Sequence, residues 1–146
     1  MKNHAVFLFV LLGISVLLGS FGSHFIKVVT EDQKLISIWA NAVEYQFYHA
    51  LGGIIMLLVF KQCNIMAKWP VNFLIAGIFL FCGFFYLKTG LKLTDPTIKF
   101  RYLRYLRPIG GLCWVTGWFG AAALINRKIV HESKQDVKSK GRKKKW

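Results

Sequence analysis

The chain has 146 residues, is 55% hydrophobic and 16% aromatic, and carries only 18% charged residues, yet its formal net charge is +14. Soluble domains are less apolar and about 25% charged, so an ordinary soluble enzyme is excluded. So is disorder over most of the length, because too much apolar surface would stay wet.

The first predicted element covers residues 5–26. Its 22 residues match the roughly 20 needed to cross about 30 Å of hydrocarbon. Lys2 and the small residues around Ser20, Phe21 and Gly22 also fit a signal peptide. The apolar character continues through Phe25 and Ile26, longer than a usual signal core, so a retained helix without cleavage is expected. Ser15, Gly19 and Ser23 recur at four-residue spacing with Gly22 beside them, which lets two helix backbones approach closely. His24 lies near the end of this run.

The second element covers residues 38–60 and is the polar one. Asn41, Tyr45 and His49 fall at i, i+4 and i+8, with Glu44 and Tyr48 flanking them. Of the 26 charged side chains, only Glu44 lies well inside a span. A polar stripe dissolved in lipid is costly, so this face is expected to point into the bundle. His24, Asn41, Glu44, Tyr45 and His49 form the candidate intramembrane polar network. It reads either as a hydrogen-bonded device that fixes packing or as a functional site. Helical rise places His24, Asn41 and Glu44 near one interface, and Glu44 is expected to bond to His24 or Asn41. The same rise puts His49 about 13 Å deeper than His24, which argues against a bis-histidine haem.

The third element covers residues 70–87. Trp39 and Trp69 start the second and third spans at the depth of an aromatic belt, and Pro70 and Pro108 sit where a helix tolerates them. The loop that follows is basic. Wound as a helix, residues 98–107 put Arg101, Arg104 and Arg107 on one face, as a short interfacial helix would. The fourth element covers residues 108–126, with Gly110, Gly111 and Gly117 as further packing positions. Residues 127–146 form a basic tail, read as disordered. Charge alone would suit nucleic acid, but no nucleic-acid fold is visible, and a polybasic tail beside a membrane reads as lipid-binding or topology-setting.

All four runs are expected to be helices, because lipid offers no partner to backbone N–H and C=O groups. With four spans, one side of the membrane carries twelve cations and the other eight, which favours both termini in the cytoplasm. Cys63, Cys82 and Cys113 lack metal-ligand spacing. No nucleophile–base pair or complete metal set is present, so neither enzymatic activity nor a cofactor is expected.

Four stretches in order then carry a resemblance. They are Leu18-Gly-Ser-Phe-Gly-Ser-His24, Ala42-Val-Glu-Tyr-Gln-Phe-Tyr-His-Ala50, Phe79-Leu-Phe-Cys-Gly-Phe-Phe-Tyr86 and Arg107-Pro-Ile-Gly-Gly-Leu-Cys-Trp-Val-Thr-Gly-Trp118. Together they resemble the YgdD-like family, domain of unknown function 423, which includes small bacterial inner-membrane proteins and the eukaryotic transmembrane protein 256. The family's usual first motif has alanines where this chain has Ser20 and Ser23, and a family serine is replaced by Cys82. The resemblance implies four helices with the first retained, and it supplies no activity.

The reading is an all-α membrane protein with four transmembrane helices in an antiparallel bundle (residues 1–126) and a basic tail. Its expected role is an accessory subunit or lipid-interacting component. The alternative is a small transporter or proton-conducting element using the polar residues of the first two helices. Expected partners are anionic lipid headgroups at the basic loop and tail, and a membrane protein or a second copy. The expected location is the bacterial inner membrane, or a mitochondrial or endoplasmic-reticulum membrane in a eukaryote.

Overall fold

A computed structural model describes residues 2–95, 97 and 105–143. Its described residues form four long helices: α1 (Lys2–Val29), α2 (Gln33–Gln62), α3 (Trp69–Thr94) and α4 (Leu106–Lys143). Each is long and apolar enough to cross a membrane. The spans run a few residues past the apolar runs at both ends, because capping and polar residues complete the last turns.

Local chemistry sets the helix ends. Thr30 Oγ1 accepts from the Asp32 amide, and Asp32 then caps α2 by accepting from the amides of Lys34 (2.9 Å) and Leu35 (3.3 Å). At the other end of α2, Asn64 takes a left-handed conformation with φ of 52°. The Ile65 amide donates back to the Phe60 carbonyl and the Asn64 amide to that of Lys61. That is a Schellman closure with Asn in the position Gly usually fills. Ile65 and Phe60 are both buried there. After α3, both the amide and the hydroxyl of Thr97 donate to Asp95, which holds that carboxyl below the usual range.

The helices pack in sequence, α1 on α2, α2 on α3 and α3 on α4, with a further contact between α2 and α4. Connections too short to recross the bundle make the first three antiparallel neighbours. The core joins Leu8 and Leu11 of α1, Ala42, Ala50, Leu57 and Phe60 of α2, Val71, Leu74 and Ile78 of α3, and Trp114 and Ala121 of α4. Around it stand large apolar side chains that are mostly exposed, among them Phe9, Leu17, Leu58, Leu112 and Phe119. Hydrocarbon tails are the solvent that suits such a surface.

Two helices widen locally. Gly22–Ile26 in α1 and Ile78–Cys82 in α3 are π-helical turns. In each case the carbonyl one α-turn earlier accepts an indole N–H from the next helix. Trp39 Nε1 donates to Leu18 O at 2.8 Å, and Trp114 Nε1 donates to Leu74 O at 3.1 Å. A side chain bonding into the ladder competes for an acceptor the α-pattern uses, and the wider turn follows.

The fourth helix differs from expectation. Residues 127–143, read as disordered, continue α4 as far as Lys143. The segment has no proline, and an i, i+4 pair between Lys128 and Glu132 (3.4 Å) braces its first turns. Good helix formers outweigh the repulsion of its cations here. At about 1.5 Å per residue the helix is about 57 Å long, so roughly half of it extends beyond about 30 Å of hydrocarbon. The expected interfacial helix over residues 98–107 lies mostly outside the described residues. Of its arginines, Arg107 is placed 5.7 and 5.5 Å from the ring centroids of Phe84 and Phe85. Its guanidinium is thus held over aromatic faces at the start of α4.

Candidate functional site

The five candidate polar residues do not form one network. Asn41 and Glu44 stand exposed on the outer face of α2, and His24 is exposed in the α1 π-turn. Glu44 makes no hydrogen bond to His24 or Asn41, contrary to expectation. The reason is helical phase. Position 46 lies about 200° round the helix from position 44, and the buried stripe runs through Ala42, Gln46, Ala50 and Gly53. The small residues of that stripe admit close packing, so they take the interior and turn Glu44 outward.

Tyr45 and His49 join a different group. The His49 ring stacks on Trp114 with centroids 3.7 Å apart and planes 13° apart. Tyr45 stacks on the same indole at 5.5 Å and meets Phe81 edge-on at 5.3 Å. His49 Nδ1 lies 2.8 Å from the Tyr45 carbonyl. A carbonyl only accepts, so Nδ1 carries the proton and Nε2 remains an acceptor. These rings tie α2 to α3 and α4.

The buried polar centre is Gln46, which the polar-stripe reading passed over. Its Nε2 donates to Leu11 O of α1 at 2.8 Å, and its Oε1 accepts from Tyr86 of α3 at 3.0 Å. One amide therefore joins three helices. A signal was available: Gln46 sits one turn from both Ala42 and Ala50, on the side of α2 with the smallest residues. Trp39 was assigned to an interfacial belt, but it is buried, with its indole against Gly22 and its N–H on Leu18 O. A further helix-to-helix bond, His4 Nε2 to Asn72 Oδ1 at 2.8 Å, ties α1 to α3 near their N-termini.

The glycines explain how bulky indoles fit. A Cβ on Gly22 would strike Trp39, one on Gly52 would strike Trp118, one on Gly77 would strike Trp114, and one on Gly120 would strike Trp69. Gly110 faces Phe81 and Gly117 faces Pro70 O and Leu74, while Gly19 faces Val43. Gly111 has open space around it. Ser23 is exposed and its hydroxyl donates to Ser20 O, so it does not line a helix contact as expected.

An open groove of about 240 Å³ runs between the end of α1 and the start of α2. Gly19, Gly22, Trp39 and Val43 wall it, with Lys27 and Glu44 also on its lining. Among the described residues, no three His, Cys, Asp or Glu side chains gather as a metal-ligand set.

The profile "Protein of unknown function (DUF423)" covers residues 18–111, from Leu18 at the first π-turn to the glycines of α4. A UPF0382 membrane protein of Staphylococcus haemolyticus is 37% identical over 116 residues, covering 76% of this chain and 88% of that protein. A UPF0382 membrane protein of Schizosaccharomyces pombe is 35% identical over 106 residues, covering 72% and 86%. The UPF0382 membrane protein YwdK of Bacillus subtilis is 32% identical over 117 residues, covering 75% and 89%. No solved structure matches. Profile, relatives and four packed apolar helices agree: the chain is a multi-pass membrane protein of the DUF423 (UPF0382) family, which has members in bacteria and in yeast.

Proposed function

We propose that this protein is a non-catalytic accessory membrane subunit whose working surface is its lipid-facing exterior. One observation carries the reading: the polar side chains of α2 are sorted. The interior amide and indoles of Gln46, Trp39 and Trp114 are each committed to a neighbouring helix. The unbonded polar groups of α2, Asn41 and Glu44, stand outside, while on α3 the Thr89 hydroxyl is buried without a hydrogen-bond partner among the described residues. A conducting element needs its ionisable groups along an interior or water-filled path, and Glu44 is exposed on the outer face of α2. Lys34, Lys88, Lys92 and Arg107 gather at one end of the bundle, where anionic headgroups are the natural counter-charge.

Native electrophoresis of membranes extracted in mild detergent tests the reading. The expected outcome is migration at a fixed mass well above that of a single chain. Ion flux into liposomes holding the purified protein should be unchanged by Glu44→Gln. A flux that this substitution abolishes would replace the reading with that of a transporter.

A further inference from the structure

We propose that the outer seam of α2 is the contact surface for a second copy of this chain, with the two α2 helices packed parallel about a two-fold axis along the membrane normal. Ser37, Asn41, Glu44, Tyr48, Leu51, Ile55 and Leu58 follow one another at alternating steps of four and three residues. All seven are exposed. At about 100° per residue they fall within one arc of roughly 100°, opposite the buried stripe of the helix. Steps of four and three are the seam geometry of two helices crossing at a small angle.

The polar half of the seam identifies the occupant. None of Ser37, Asn41, Glu44 and Tyr48 makes a hydrogen bond within the described chain, yet the last three lie within an apolar span. Lipid tails offer them no partner, and polar side chains between helices serve as glue. The chemistry is self-complementary. The Asn41 amide supplies donors, and one turn on, Glu44 supplies an acceptor. A two-fold axis sets Asn41 against Asn41 and Glu44 against Glu44 at equal depth, which leaves each Asn41 amide about one turn from the Glu44 of the other copy, and does so twice. It also meets polar half with polar half, and Leu51, Ile55 and Leu58 with their own counterparts. The proposal rests on the reading that the exterior is the working surface. A larger complex without self-contact would keep that reading and end this one.

The test uses the full chain alone in vesicles of phosphatidylcholine and phosphatidylglycerol. Cys63→Ser and Cys113→Ser remove the partly exposed thiols, while Cys82 is fully buried and stays. Single cysteines then replace Ser37, Leu51 or Ile55 on the seam, and Leu17 or Phe119 on the exposed faces of α1 and α4. Oxidation should give disulfide dimers at the three seam positions and none at the two controls. Resonance energy transfer between labelled copies provides a second measurement that needs no seam cysteine. There Asn41→Leu with Glu44→Leu should weaken association about tenfold. Absence of seam crosslinks, equal crosslinking at the controls, or unchanged association of the double variant would overturn the proposal.

Discussion

Gln46 is one side chain on which three helices converge, and its energetics follow from its two bonds. Replacing it with Leu keeps the volume but strips the Tyr86 hydroxyl of its acceptor. We expect a loss of about 1 kcal/mol, the usual scale for one interhelical bond in a membrane. In a double-mutant cycle with Tyr86→Phe, measured by unfolding in detergent, the pair should cost less than the sum of the singles. Strict additivity would mean that the two groups do not interact. The glycines divide in the same manner. Gly22→Ala places a methyl against the Trp39 indole, and overpacking of that kind costs about 1–3 kcal/mol. Gly111→Ala meets nothing within 4 Å and should be neutral or slightly stabilising, since Ala is the better helix former. Thermal melts of the two variants side by side check the contrast, and equal effects would refute it.

At the scale of elements, the π-turns and the long fourth helix need explanation. Each π-turn follows a carbonyl that accepts an indole N–H, so the indole should maintain it. Trp114→Phe keeps an aromatic ring against Gly77 and His49 but removes the N–H. The expected result is a cost of about 1 kcal/mol beyond the loss of ring area. Amide exchange across residues 78–82 should change with it, and an unaltered exchange pattern would separate the turn from the indole. The extension of α4 makes a different prediction. Truncation after Asn126 should lower the helical circular dichroism signal by the contribution of about 17 residues while the bundle melts at the same temperature. Loss of no helical signal would return the tail to a disordered state.

Across the whole molecule, tryptophan–glycine contacts link all four helices. Trp39 joins α2 to α1, Trp114 joins α4 to α3, Trp118 joins α4 to α2, and Trp69 joins α3 to α4. Without a hydrophobic force between helices in lipid, close packing and interhelical bonds must hold the bundle, and these contacts supply both. They also make α1 part of the core, through Leu8, Leu11 and the carbonyls of Leu11 and Leu18. Four crossings would place the two termini on one side, and the cation count predicts that this side is the cytoplasm. A single cysteine added beyond Lys143, in a chain whose other accessible thiols are removed, should label with an impermeant reagent only after the cells are opened. Labelling of intact cells would reverse the orientation.

How much of this was legible depended on the physics behind each feature. Length, apolar runs and the fate of the charges depend only on local composition against a bilayer of known thickness. The sequence alone therefore determined the membrane setting, the four helices and, except for the far end of the fourth, their rough limits. The family motifs were readable for the same reason, being local strings around Gly22, Gln46, Cys82 and Trp114. Helical phase was not readable. Asn41, Glu44, Tyr45 and His49 suggested one polar face turned inward, yet small residues at positions 42, 50 and 53 gave closer packing and turned Asn41 and Glu44 outward, while Tyr45 and His49 reached the rings of α3 and α4. Only the tertiary structure could decide that contest, because it depends on which surface of α2 fits the grooves of α1 and α3. The same holds for Trp39 and Trp114. Their donors act on carbonyls of another helix, and no spacing along one strand of sequence records which carbonyl will be in reach.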